Sequence, residues 1–184
     1  RDISWLSFNE RVLQEAEDPK TPLFERIRFI GIFSNNLDEF FRVRVATVRR
    51  MVDIGKDEEN LLGDLTPLEL QDKIFEIVYA QQNKVQNIFR DILLELNKNN
   101  VFIIDEKELN HHQGIFVKKY FHEKVLPNLV PIMLSKEHKF PYLRDRSVYL
   151  AGKLSKSTDP DDFAYSLIRI PGISVPRFLV LPKE

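Results

Sequence analysis

The chain of 184 residues contains no cysteine, so disulfides and thiolate metal sites are excluded, and the redox compartment stays open with a cytosolic lean. Its six glycines never fall into G-x-x-x-x-G-K-[ST] or G-x-G-x-x-G, which removes the two common glycine-rich phosphate cradles. Neither sign of charge is in surplus: 27 Lys and Arg face 28 Asp and Glu, for a net charge of −1. That balance gives no global basic field for nucleic acid and no acidic tail. No apolar run approaches the roughly 20 residues that a membrane span needs. His111, His112, His122 and His138 form no H-E-x-x-H, and no G-x-S-x-G elbow occurs. His111-His112 reads as a solvated helix entry, and His122 as a surface or partly buried helical residue. Acidic pairs such as Asp38-Glu39 and Asp161-Asp162 are common on solvated surfaces and do not by themselves make a catalytic dyad. The opening Arg1-Asp2-Ile3-Ser4 has neither a methionine nor a signal-peptide core. The expectation is a piece of something larger, ending just after the apolar run "RFLVLPKE".

What is present is ordinary for a globular protein, 43% apolar and 30% charged. The first hundred residues read as helical. Ser7 to Glu10 spells the capping box S-x-x-E, which predicts a helix from there to about Ala16, broken by "EDPKTP". Thr21 then caps a second helix with Pro22 at its first position and Leu23, Ile27 and Ile30 as its stripe. A third begins near Leu37, with Leu37, Phe41, Val45, Val48 and Val52 at helical spacing and Gly55 as the stop. Residues 55–64 read as a loop. Thr66-Pro67-Leu68-Glu69 combines an N-cap, a proline and a capping-box glutamate. The helix they open carries Ile74, Val78, Val85, Ile88, Ile92 and Leu96 and ends at "NKNN" (97–100), a rod of roughly 50 Å. It is expected to reach out as an arm or to pack on a neighbouring domain.

After Asn100 the pattern changes. "VFIID" (101–105) reads as a short buried strand, 116–125 as a helix, and 147–154, 164–170 and 177–182 as strands separated by the turn-rich "SKSTDPDD" and "PGISVP". The expected fold is α+β: a helical bundle with one long helix over 1–100, then a smaller mixed α+β domain with a largely antiparallel sheet over 101–184.

One polar constellation is dense. Ser34-Asn35-Asn36 interrupts an apolar helical pattern, Asp38-Glu39 follows, and then Arg42, Arg44, Arg49 and Arg50. Asparagine is a poor helix former, so a helix boundary with local capping is the commoner use. The alternative is an amide that faces a ligand, since it can both donate and accept on an adenine edge. Asp38 and Arg42 make an i,i+4 pair of the favoured order, while Arg42 and Arg49, seven apart, share a face nearly opposite Arg44. The arginines read either as a charged helix face or as holders of phosphate or of a neighbouring domain.

"SWLSFNERVLQEA" (4–16), "PLFERIRFIGIFSNNLDEFFRVRVA" (22–46) and "VPRFLVLP" (175–182) resemble the amino-terminal part of polyphosphate kinase type 1. The resemblance covers essentially all of the chain but only the front of a much longer family chain. It implies an enzyme that moves the γ-phosphate of ATP onto polyphosphate. It also implies an amino-terminal helical domain (1–100) and part of an α+β head domain (101–184) that supports a homodimer or higher homo-oligomer. By position in "S-N-N-L-D-E-F", the resemblance assigns an ATP contact to Asn36, with Asn35 second. It places the phosphorylated histidine, the phosphate-clamping arginines and the Mg²⁺ ligands in carboxy-terminal domains. So no catalytic residue and no metal ligand is expected here, and the chain alone is expected to be inactive. Phosphoryl transfer needs a nucleophile and clustered positive charge, and nothing in 1–184 supplies the pair. ATP, ADP and polyphosphate are the implied ligands, nucleic acid is not, and the implied location is the cytoplasm or the inner membrane face as a peripheral protein. The rival reading is a structural and oligomerisation module without nucleotide contact.

Overall fold

The computed structural model describes residues 1–55, 65–135, 139–172 and 174–182. The expected loop over 55–64 therefore lies outside the described residues after Gly55, as does His138. The chain divides into two compact units, Arg1–Ile103 and Ile104–Glu184.

In the first unit the best-signalled helix forms as its sequence dictates. Helix α4 (Pro67–Lys98) starts on a capping box: Glu69 N–H donates to the Thr66 hydroxyl, and the Glu69 carboxylate accepts from Thr66 N–H at 2.8 Å. It stops in a Schellman turn. Asn100 takes φ 59°, and the amides of Asn100 and Val101 return to the carbonyls of Asn97 and Leu96. Val101 is thus part of a helix cap. Residues 101–105 form no strand, contrary to the apolar pattern, and Phe102 is 62% exposed.

Helix α1 (Asp2–Glu17) begins five residues before the expected start. Ser7 is no cap; its hydroxyl bonds back to the Ile3 carbonyl. The start is held from a distance, since buried Asp2 accepts from Arg44 at 2.7 and 3.2 Å. Helix α2 (Leu23–Phe40) has Pro22 at its N-cap, one position earlier than expected, and Thr21 makes no capping bond. The larger departure is at Ser34-Asn35-Asn36, which lies inside α2. The helix continues through a π-helical turn, Phe41–Val45, into α3 (Ala46–Asp53). This wide turn adds a residue to the helical count, so the face expected for Arg42 and Arg49 does not hold across it. Gly55, at φ 72°, closes α3 as expected.

The core of this unit has two apolar layers. One gathers Leu6, Phe40, Val45, Val48, Leu70, Ile74 and Val78; the other gathers Leu13, Ala16, Phe33, Ile88, Ile92 and Leu96. Both lie along α4, whose buried residues run from Pro67 to Leu96. The long helix is therefore packed from end to end within its own unit, not extended as an arm. Lys84 on α4 adds ion pairs to Glu17 (3.0 Å) and Glu10 (3.9 Å) of α1.

In the second unit, α5 (His111–Tyr120) opens on an Asn110–Gln113 capping box, earlier than the expected 116, and passes through a π turn (Phe121–Val125). Strands β1 (Pro131–Leu134), β2 (Tyr149–Lys156) and β3 (Asp159–Arg169) form an antiparallel sheet in the order β1-β3-β2. β1 was not signalled; Pro131 sits at the first position of an edge strand, where its missing N–H is tolerated. The segment "SKSTDPDD" is a hairpin: Lys156 pairs with Asp159, and Pro160 falls in a bulge where no ladder bond is required. Gly152 faces Ser166, whose hydroxyl lies 3.1 Å from where a Cβ would stand. Residues 177–182, expected as a strand, pair with none of the three.

Candidate functional site

The two core layers of the helical unit are separated by amides. On each helix the polar residue sits between the apolar ones: Asn9 between Leu6 and Leu13 on α1, Asn36 between Phe33 and Phe40 on α2, Gln81 between Val78 and Ile88 on α4. Asn9 is fully buried. Its Nδ2 donates to the Phe33 carbonyl at 3.3 Å, and its Oδ1 accepts from Asn36 Nδ2 at 3.0 Å. Gln81 Nε2 donates to the Leu6 carbonyl at 3.0 Å, while its buried Oε1 meets no donor. A buried polar group is costly unless bonded, so such a layer restricts the bundle to registers in which these amides meet. At Asn36, which is half-buried, the layer reaches the surface of α2.

This explains the asparagines in mid-helix. Asn36 is turned inward to a partner on α1, and that tertiary bond overrides a weak intrinsic preference. Asn35, one step round the helix, is exposed, as is Ser34. The structure thus separates the two candidates: Asn36 belongs to a built arrangement and Asn35 stands on an open face.

The seam between α1 and α2 carries two further polar ties. Near one end, Arg44 holds Asp2, and this bond together with the negative charge of Asp2 raises the guanidinium pKa above its usual value. Near the other, Arg26, 5% exposed, donates through Nε to the Ala16 carbonyl at 2.8 Å and through Nη1 to Glu95 at 2.6 Å. Arg42 pairs with Asp38 at 2.9 Å as its spacing implies, and Arg49 and Arg50 are exposed. Arg42, Arg44, Arg49 and Arg50 do not converge on one anion site: two of them are committed to carboxylates of this chain.

Beside the Asp2–Arg44 pair lies a groove of about 340 Å³ lined by Arg1, Trp5, Glu39, Phe40 and Val43. Trp5 stacks on Phe40 with ring centres 4.6 Å apart. The groove continues the stripe that contains Asn36, one turn along α2.

His111 and His112 are exposed at the start of α5, and His122 packs edge-on to Phe121. Among the described residues no three His, Asp or Glu side chains are gathered to hold a metal ion. The described residues therefore do not gather a Mg²⁺ site. Among the described residues no helix is long and apolar enough to cross a membrane.

Asp2, Asn9, Arg26 and Gln81 were not singled out by the sequence. A signal existed for Asn9: it interrupts the stripe Leu6, Leu13, Ala16 at helical spacing. Starting the helix at Ser7 leaves Leu6 outside it and hides the interruption.

Residues 1–104 match the family described as "Polyphosphate kinase N-terminal domain", and residues 112–184 the "Polyphosphate kinase middle domain". The chain is 41% identical over 186 residues to a polyphosphate kinase of Vibrio cholerae, and 37% identical over 191 residues to one of Escherichia coli K12. In both cases all of this chain is covered, but only 26% of the relative's length. The crystal structure of a polyphosphate kinase from Porphyromonas gingivalis superposes over the whole chain with a TM-score of 0.81 at 34% identity, again covering 26% of that protein. With both of its units matched in order and its fold shared, this chain belongs to the polyphosphate kinase family.

Proposed function

We propose that the complete protein is an ATP:polyphosphate phosphotransferase, and that residues 1–184 supply one wall of its nucleotide site without performing the chemistry. In this reading the γ-phosphate of ATP passes to a polyphosphate chain by way of a histidine carried on carboxy-terminal domains. Those domains also hold the phosphate clamp and the Mg²⁺ ligands. Asn36 would contact the adenine. The observation that carries the assignment is that the Asn36 amide is anchored by Asn9 at 3.0 Å yet stands half-buried at the surface of α2. An amide held on a rigid helix loses little freedom when it binds.

A neutral hydrogen bond contributes about 1 kcal/mol net, which is roughly a five- to tenfold effect on affinity. In the intact enzyme, Asn36→Ala is expected to raise KM for ATP several-fold and to leave phosphoryl transfer operating at saturating ATP. A folded variant with unchanged KM would refute the adenine contact.

We further propose that the domains divide near residue 100 and that 101–184 is the head portion, supporting a homodimer or higher homo-oligomer. Exposed apolar side chains such as Val130, Tyr142, Phe178 and Val180 in the second unit support an interaction role. The proposed location is the cytoplasm, or the inner membrane face as a peripheral protein. A second reading has one specific observation in its favour: the Asn9–Asn36 bond is a sufficient structural reason for Asn36. Under it, residues 1–184 are scaffold only, and the Asn36→Ala variant would lose stability but keep its KM.

A further inference from the structure

We infer that Asn9 is a positioning residue that fixes which way the Asn36 amide faces, and through it the choice of purine. The inference rests on the nucleotide reading above and adds a specificity determinant to it.

The argument runs from groups that have no choice. The Phe33 carbonyl can only accept, so the nitrogen of the Asn9 amide must face it, as it does at 3.3 Å. Asn9 is fully buried on the inner face of α1. Turning its amide over would set its oxygen against the Phe33 oxygen with no water to relieve the contact. Asn9 therefore presents Oδ1, and only Oδ1, to α2. A carbonyl oxygen accepts, so Asn36 must turn Nδ2 inward, as it does at 3.0 Å. What Asn36 has left for a ligand is its own Oδ1 and one remaining N–H.

An acceptor beside a donor matches an adenine edge, where the 6-amino group donates and the neighbouring ring nitrogen accepts. Guanine reverses the order on its pairing edge: the 6-oxo group accepts and N1–H donates. A freely rotating asparagine amide could turn over and serve either base. Asn36 cannot turn without breaking its bond to Asn9 and putting two oxygens face to face. With the base held in one orientation by the rest of the site, the backbone carbonyl of Phe33 thereby selects, through two side chains, a donor at position 6.

The test uses the intact enzyme with ATP, GTP and purine riboside triphosphate, which lacks the 6-amino group. For the native enzyme kcat/KM is expected to fall from ATP to the purine analogue, where a bond is missing, and further to GTP, where acceptors face each other. Asn9→Leu, close in volume, releases the Asn36 amide. The ATP-to-GTP ratio is expected to fall about five- to tenfold, the change falling on KM more than on kcat. Asn9→Asp, which burial keeps protonated, retains an acceptor toward Asn36 and a donor toward the Phe33 carbonyl, and is expected to retain most of the preference. If Asn9→Leu folds and keeps the native ratio while Asn36→Ala loses it, the role given to Asn9 is wrong and the nucleotide reading stands. If Asn36→Ala changes neither the ratio nor the KM for ATP, the nucleotide reading fails and takes this inference with it. Should Asn9→Leu not fold, the native series decides: GTP used as well as ATP would overturn the inference.

Discussion

Replacing Arg26 by methionine should cost the helical unit about 2 kcal/mol, and the structure indicates where the loss arises. Arg26 is 5% exposed and its Nε donates to the Ala16 carbonyl at 2.8 Å. Ala16 lies in the last turn of α1, where a carbonyl has no partner from its own helix. The amide four residues on, Lys20 N–H, is taken by Asp18 Oδ1 at 2.9 Å. Arg26 is therefore the donor that satisfies this buried carbonyl. A hydrogen bond to a charged group contributes about 1.5–3 kcal/mol, and a buried acceptor left unsatisfied costs about 1–3 kcal/mol; the two overlap, since both describe one bond. The Arg26–Glu95 bond adds little, because the Glu95 side chain is 42% exposed and water can replace its partner. Methionine keeps most of the aliphatic stem, so lost packing is a minor part. Urea unfolding followed by the fluorescence of Trp5, the chain's one tryptophan, reports on this unit because Trp5 stacks on Phe40. Glu95→Gln is the control, with an expected cost below about 1 kcal/mol. A cost below about 1 kcal/mol for Arg26→Met, or equal costs for the two variants, would refute the capping argument.

Two further expectations follow from the same bonds. Gln81→Met removes a buried Oε1 that meets no donor, and the Leu6 carbonyl lies in mid-helix, so the variant should be neutral or more stable by up to about 1 kcal/mol in urea; a loss above about 1 kcal/mol would show that Oε1 is satisfied. The Thr66 N–H, and after it the Thr66 hydroxyl, hold the Glu69 carboxyl below its usual pKa. A depressed carboxyl stabilises the fold above its ordinary pKa, and that contribution is lost as pH falls through the lower, folded value. Amide protection in the first turn of α4 should therefore weaken below the usual carboxylate range, after correction for intrinsic exchange, and Glu69→Gln should remove that dependence. An unchanged pH profile in the variant would contradict it.

How much could be read in advance depended on whether the deciding interactions were local. Helix α4 was legible because Thr66, Pro67 and Glu69 act on their own neighbours, and its apolar stripe recurs from Ile74 to Leu96 with Gln81 as its one polar member. Helix α1 was legible in kind but not in extent. Its local capping box at Ser7 lost to the bond between Asp2 and Arg44, 42 residues away. The asparagines of α2 read as punctuation because the partner that turns Asn36 inward, Asn9, is 27 residues away. The π turn at Phe41–Val45 has no local signature, and it shifts the register of every residue after it. In the second unit, "VFIID" has strand composition, but its first residue closes a helix cap, while β1 starts on a proline that reads as a helix stop. The antiparallel sheet was nevertheless legible from β2 and β3. Asn36 was singled out from the sequence by resemblance; its inward bond to Asn9, and the exposure that separates it from Asn35, appear only in three dimensions.

The central claim is that α2 of this segment lines the nucleotide site while the phosphate chemistry happens elsewhere in the enzyme. Photolabelling the intact enzyme with an azido-purine analogue of ATP, followed by peptide mapping, tests it most directly. The account predicts an adduct within Phe29–Arg42, suppressed by excess ATP. ATP-protected adducts found only outside residues 1–184 would contradict it.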